Sequence, residues 1–393
     1  MTAAGDREVA VEVDLDAGRV EVEIDDTVTG PAIVGPDVTP GSVRDRIDLE
    51  REWVVATRGV GIGGPYAFLG ELAKQVEARG FDAAWVSETT QESMIQASVV
   101  AQATERIDVG TNITLAFPRS PTITAMQAWD LNELSGDRFV VGLGSQVKRI
   151  IEDRFSAAFD QPAKRMAEYV QAMQTVWRME RGEDVTFDGD LYHVLRPGLG
   201  GRGRARDRRL PRVYVAAVGP LMTKAAAAHA DGLLGHPFTS ERYLTDDVLP
   251  RVEEALAAAG RSREDFTVCQ GVILTIADDR EVAVREAKQQ IAFYGTTPNY
   301  QGVFASYGDE ALTGRLRDVW ATTKQDLDAL VAAVPDEAVE RYAIAGTPDE
   351  VKDKLAAYER HVDHLILGGA WYQVPMSRLA ENLWAILETF GTA

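Results

Sequence analysis

Apolar and polar positions change rhythm along this chain. Over residues 7–24 they alternate, apolar against acidic, on both sides of Asp16-Ala17-Gly18, which predicts a β-hairpin with one wetted face. Glycines and prolines from Gly30 to Gly41 then read as a linker. From Trp53 onward, short apolar runs take turns with stretches of helical periodicity. The runs Trp53–Thr57, Ala83–Val86, Ile107–Leu115, Phe139–Leu143, Val213–Ala217, Gly232–Gly235, Phe266–Ile276 and Asp363–Leu367 are expected to be strands. Helices are expected over Tyr66–Arg79, Met94–Thr104, Thr122–Leu134, Arg165–Arg181, Met222–Ala230, Leu249–Ala259, Pro348–Arg360 and Met376–Thr389. Two more helical segments fall between Asp279 and Val334, and a glycine-rich turn is expected from Gly59 to Pro65.

Eight strand–helix units in roughly 340 residues suit an α/β fold of the (β/α)8 TIM-barrel kind, with insertions and an N-terminal β-hairpin extension. A doubly wound open sheet is the alternative, which strand count and length favour less. The chain thus divides into an acidic extension with hairpin and linker, residues 1–50, and a barrel, residues 51–393. Arg106–Gln146 holds a whole βαβ unit, with small and polar residues crowding the C-terminal ends of both strands. Two connections are longer than ordinary loops, Phe187–Arg212 and Gly295–Gly308, as lids or binding walls are.

Composition narrows the partners. The 393 residues carry a net charge of −20, which argues against nucleic acid or an anionic membrane as partner. Residues 1–50 hold 13 acidic and 4 basic residues, whereas Gly198–Pro211 holds five arginines and one aspartate. That basic loop reads either as a solvated segment or as a clamp for an anionic ligand tail. Cys269 is the one cysteine, so neither a disulfide framework nor a thiolate metal cluster is expected, and a cytoplasmic location is the simplest reading. His361 and His364 lack a third ligand and read as a helix end entering a strand, so no metal is expected.

In a barrel the site is built just beyond the strand ends. Those positions are Glu88, Asn112, Arg119, Gly144-Ser145-Gln146, Ala217-Val218-Gly219-Pro220 and His236. Few are acid–base groups and many are small, the make-up of a site that holds a flat cofactor and leaves the chemistry to it. Ala217–Pro220 opens a helix, so free amides there suit a phosphate, and Thr223 in the same first turn adds a hydroxyl. The alternative for that stretch is a plain helix entry with proline near the first position. Gly142-Leu143-Gly144 echoes a dinucleotide fingerprint but lacks its third glycine; close backbone approach to a ring explains it better. Glu88 and His236 are the candidate catalytic proton groups, each with a structural alternative: a rim salt bridge or a packed histidine. Arg119 either meets an anionic group of the substrate or anchors the Pro118/Pro121 loop. Phe238, Tyr294, Tyr300 and Phe304 are candidates for an apolar substrate wall, although such aromatics more often belong to the core.

Several stretches carry a resemblance. GFDAAWVSE (Gly80–Glu88), ATERIDVGTNI (Ala103–Ile113), FPRSP (Phe117–Pro121), LSGDRFVVGLGSQ (Leu134–Gln146), AAVGP (Ala216–Pro220), ADGLLGHPFT (Ala230–Thr239) and AGTPDEV (Ala345–Val351) occur in this order. Together they resemble the bacterial-luciferase-like superfamily of flavin and deazaflavin oxidoreductases, in its coenzyme F420-dependent branch. The resemblance implies a (β/α)8 barrel with a tricyclic ring at its C-terminal mouth. It also implies a non-prolyl cis peptide at Asn112-Ile113 behind the ring. The implied activity is hydride transfer between coenzyme F420 and a small organic substrate. An FMN-dependent monooxygenase or reductase is the alternative, and a barrel without catalysis, acting as a binding or assembly component, is a third reading. The resemblance also implies a homo-oligomer, with a dimer the usual form. Sugar-phosphate dehydrogenases of the superfamily carry a glutamate after the fourth strand; here Gln146-Val147 stands there, so that activity is not implied.

Overall fold

A computed structural model describes residues 10–14, 19–23, 56–198, 208–323 and 326–392. The chain divides into two units, Met1–Pro40 and Gly41–Ala393. In the first, Ala10–Asp14 and Arg19–Glu23 pair antiparallel in the register expected of the hairpin, with Ala10 opposite Glu23 and Asp14 opposite Arg19. The expected linker lies outside the described residues, as does the basic loop from residue 199 to 207.

In the second unit eight parallel strands close on themselves: β1 (Thr57–Ile62), β2 (Ala83–Val86), β3 (Asp108–Thr111), β4 (Phe139–Gly144), β5 (Arg212–Ala217), β6 (Gly232–Gly235), β7 (Thr267–Ile276) and β8 (His364–Gly368). Each pairs with the next, and β8 returns to β1, with His364 opposite Thr57. This is the expected TIM barrel.

Several boundaries differ from the sequence reading. Gly59 and Gly61 were expected in a turn but lie inside β1. The barrel interior explains this: a Cβ on Gly59 would stand 2.6 Å from Trp85 Nε1 and 2.7 Å from His364 Nε2. Residues 53–55 of the expected first strand lie outside the described residues. The expected strand Ile107–Leu115 is split into β3 and a two-residue strand, Thr114–Leu115, by the cis peptide Asn112-Ile113. Between Asp279 and Val334, where two helical segments were expected, the described residues form four α-helices, Arg280–Gly295, Gln301–Ala305, Glu310–Thr322 and Leu327–Ala333; a further helix, Asp336–Tyr342, and a short strand, Ile344–Gly346, that pairs with the far end of β7 follow them. A helix over Lys148–Phe155 was not anticipated.

Side chains alternate along strands, and the interior is filled from below. At the N-terminal end Arg212 meets Asp108 through two hydrogen bonds, 2.7 and 2.8 Å. Above them His364 Nε2 accepts from Trp85 Nε1 at 3.0 Å, and its Nδ1 lies 2.7 Å from the Thr57 hydroxyl. Trp85, Val140, Tyr214, Leu234, Cys269 and Ile366 pack as one interior cluster. One pleat higher, the positions facing inward are Gly61, Ser87, Asn112, Gly142, Ala216, His236, Gly271 and Gly368, six of the eight small. The packed core therefore stops short of the C-terminal mouth, and a cup with small walls lies above it.

The LSGDR stretch shows why these residues take this shape. Gly136 and Asp137 adopt positive φ, 67° and 66°, to turn from the helix Pro121–Leu134 into β4. Arg138 then reaches back to the carbonyls of Ala101 (3.4 Å) and Thr104 (2.8 Å), which the end of helix Ser93–Ala103 would otherwise leave unpaired.

Candidate functional site

The register fixes which strand ends share the mouth. Val86 pairs with Thr111, Val215 with Leu143, Ala217 with Gly235 and Ile273 with Gly368. Ser87, Asn112, Gly144, Val218 and His236 therefore follow one another around one rim.

Beyond β3 the cis peptide joins Asn112 to Ile113, the bond at which the resemblance places one. Asn112 is held from both sides: its amide donates to Val86 O at 2.7 Å and its carbonyl accepts from Ser87 Oγ at 2.9 Å. Ile113 lies against Gly144, where a Cβ would come within 1.9 Å of Ile113 Cδ1. Any larger residue there would have to displace Ile113. Gln146 has φ 55°, and its side-chain oxygen accepts from the Val147 amide at 2.9 Å, turning the chain away from the mouth.

Beyond β5, Gly219 caps the helix Pro220–His229, and a Cβ on it would meet nothing within 4 Å. With proline first, the amides of Leu221 and Met222 have no partner inside the helix and face a terminus that favours anions. The Thr223 hydroxyl is engaged with Gly219 O at 3.2 Å, so it braces the helix start.

Glu88 is fully engaged. Its Oε1 accepts from Arg119 Nη2 at 2.8 Å, and its Oε2 from Ser93 Oγ at 3.1 Å and the Leu115 amide at 3.0 Å. Arg119 also binds Glu92 at 2.7 Å and Leu115 O at 2.9 Å. Of the two roles expected for Arg119, meeting an anionic group of the substrate or anchoring its loop, the contacts are those of an anchor: two carboxylates and a carbonyl hold its guanidinium. Together Glu88 and Arg119 clamp the segment that carries the cis peptide.

His236 follows β6. Its Nδ1 accepts from the Phe238 amide at 3.1 Å and its Nε2 lies 2.9 Å from Tyr300 Oη. Its ring packs against Tyr294 and Tyr300, centroids 4.9 and 4.6 Å away. Although the residue keeps some exposure, burial of the ring among these aromatics lowers its pKa from 6.5 to about 3, so it is neutral. Burial likewise raises the phenols of Tyr294, to about 12, and of Tyr300.

Phe238 and Phe304, expected on a substrate wall, are fully buried, packed on one another and on Tyr342. They are core residues behind the wall. Tyr294 is buried with them, 5% exposed, so the wall is the outer edge of this aromatic group: Tyr300, and Trp371, whose ring lies 5.0 Å from Phe293. Gln290 fixes this side, its Oε1 accepting from the Trp371 and Tyr372 amides at 2.8 and 3.1 Å.

Family comparisons agree with this geometry. The model for luciferase-like monooxygenases matches residues 51–364. The chain belongs to that family. Similar to it are an uncharacterised Mycobacterium tuberculosis protein, 35% identical over 291 residues (72% of this chain, 84% of the relative), and the 5,10-methylenetetrahydromethanopterin reductase of Archaeoglobus fulgidus, 29% identical over 300 residues (74% and 85%). Among solved structures, the coenzyme F420 dependent tetrahydromethanopterin reductase from Methanopyrus kandleri superposes with a TM-score of 0.70 at 22% identity, covering 86% of this chain and 98% of the other.

As a luciferase-like enzyme, the chain shows two features that the sequence reading missed. One is the cup itself: Gly61, Ala216, Gly271 and Gly368 recur on the inward faces of separate strands above the packed cluster, a signal visible only once the strands are in register. The other is the wall residue Trp371, which hides in a loop after β8. Among the described residues no cluster could hold a metal ion, and no helix is long and apolar enough to cross a membrane.

Proposed function

We propose that this chain is an oxidoreductase that binds the deazaflavin coenzyme F420 at the barrel mouth and passes a hydride between it and a small organic substrate. The observation that carries the reading is the cup: beside Asn112 and His236, the inward positions at the top of the barrel are small, and a Cβ on Gly368, or on Gly219 at the neighbouring helix start, would meet nothing within 4 Å. Such a cradle suits a broad flat ring with a phosphate tail. The names of the Archaeoglobus and Methanopyrus relatives, a reductase and an F420-dependent reductase, support deazaflavin over FMN.

In this reading Asn112 and Ile113 back the ring, and Gly144, Ser145 and Gln146 flank it. The turn Ala217–Pro220 brings the Leu221 and Met222 amides to the phosphate. Once bound, the coenzyme supplies or accepts two electrons as hydride. Glu88 and Arg119 hold the floor of the site in place, and the neutral His236 orients a proton route instead of ionising. The aromatic wall excludes water from the face where substrate would meet the ring.

The test is a pair of fluorescence titrations, one with coenzyme F420 and one with FMN. Saturable binding of F420, with FMN at least about tenfold weaker, is the expected result. Binding of FMN alone would leave the fold standing and overturn the cofactor. Binding of neither would favour the non-catalytic barrel.

A further inference from the structure

We propose that Tyr300 is the catalytic proton donor of this site, that His236 positions it, and that the substrate is a neutral carbonyl compound or the matching alcohol. The inference rests on the oxidoreductase reading above and goes beyond it in naming the group that meets the substrate and the class of substrate.

The hydrogen-bond network assigns the tautomer. His236 Nδ1 accepts from the Phe238 amide at 3.1 Å, so in a neutral ring the proton sits on Nε2. That Nε2–H, 2.9 Å from Tyr300 Oη, donates to the phenol oxygen. The hydroxyl proton of Tyr300 is thereby turned away from the histidine. Tyr300 lies on the segment Pro298–Ala305, with Tyr294 on one side (centroids 4.9 Å) and Phe238 on another (5.8 Å). The titratable groups against it are thus His236 and Tyr294, both neutral at ordinary pH.

The chemistry of a phenol selects the substrate. A tyrosyl hydroxyl is too weak an acid to protonate a carboxylate, but it matches an alkoxide or enolate oxygen forming as hydride arrives. In the reducing direction the carbonyl carbon takes hydride from the reduced coenzyme. The Tyr300 O–H bond breaks, its proton goes to the substrate oxygen, and His236 Nε2–H continues to hydrogen-bond the phenolate until solvent returns a proton. Oxidation of the alcohol runs the same atoms backward, with the oxidised coenzyme taking the hydride. Among the described residues the rim favours a neutral substrate: the guanidinium of Arg119 is held by Glu88 and Glu92, and Phe293 and Trp371 beside the Tyr294–Tyr300 pair are apolar.

Two measurements on the full chain test this. The first needs neither coenzyme nor substrate: histidine nitrogen NMR should show His236 protonated at Nε2 and bare at Nδ1 near neutral pH. The opposite tautomer, or a charged ring, would overturn the dyad. In the second, protein shown beforehand to bind coenzyme F420 is offered the reduced coenzyme with a panel of ketones, aldehydes, enones and quinones, beside glucose 6-phosphate and other charged compounds. Turnover confined to neutral carbonyls is expected. Tyr300→Phe should lower kcat about 100-fold or more while KM and coenzyme affinity stay within about threefold. His236→Leu should lower kcat with the same pattern, and His236→Gln, which keeps a donor and an acceptor, should regain part of it. Turnover of charged compounds alone, of none of the panel, or full activity in Tyr300→Phe would each overturn the assignment. Failure to bind F420 in the preliminary step would instead indict the cofactor reading.

Discussion

Ile113 and Gly144 are packed so closely that a methyl group on the glycine would stand 1.9 Å from Ile113 Cδ1 and 3.0 Å from its Cγ1. The contact ties the bulge after β3 to the end of β4, and both belong to the proposed ring cradle. Gly144→Ala must displace the Ile113 side chain. A stability loss of about 1–3 kcal/mol is expected by urea denaturation, together with weaker F420 binding by fluorescence titration. Unchanged stability and affinity would show that the contact is loose.

Asp108 and Arg212 form the charged base of the barrel, with side chains 6% and 8% exposed. Removing one partner leaves a buried charge without compensation. Asp108→Asn is expected to lose about 3–5 kcal/mol by chemical denaturation, and more than the double replacement Asp108→Leu with Arg212→Leu. A double variant worse than the single would contradict the pairing argument.

Acid should weaken the barrel through His364. Burial lowers its pKa from 6.5 to about 4, so the folded protein resists a proton that the unfolded chain accepts. The contribution is fully present above about pH 6.5 and is lost as pH falls from there toward 4. Across that window the wild type should lose up to about 1.4 kcal/mol per pH unit more than His364→Asn does. Parallel stability–pH curves for the two proteins would contradict the assignment of a buried neutral ring.

Ile95, Ile123 and Met126 are more than half exposed on the adjoining helices Ser93–Ala103 and Pro121–Leu134. An apolar patch of this kind suits an interface, and a homodimer through it is the expected assembly. Sedimentation should give a dimer for the wild type and a monomer for Ile123→Glu; a monomeric wild type would contradict this.

The barrel was legible because its signal is periodic: each strand run and each helical stretch buries its own face. Boundaries failed where tertiary packing decides. Gly59 and Gly61 have the composition of a turn, yet lie in a strand, and at Gly59 Trp85 and His364 fill the space that a side chain would need. Asn112, Gly144 and His236 could be placed on one rim from the sequence because the strand ends themselves were legible. Burial was not readable from residue type. Phe238 and Phe304 went to the core while Tyr300 stayed beside His236, and that sorting depends on how the helices after β7 lie over the mouth. Likewise, the partners of Arg119 come from residues 27 and 31 positions away, beyond any local pattern.

The central claim is that the cup holds coenzyme F420, with its phosphate at the helix that opens at Gly219. A crystal structure of the coenzyme-bound chain tests it most directly. The expected result is a phosphate oxygen within hydrogen-bond distance of the Leu221 or Met222 amide and the ring stacked between Gly144 and the His236–Tyr300 pair. A coenzyme bound anywhere else, or a phosphate remote from that helix start, would contradict it.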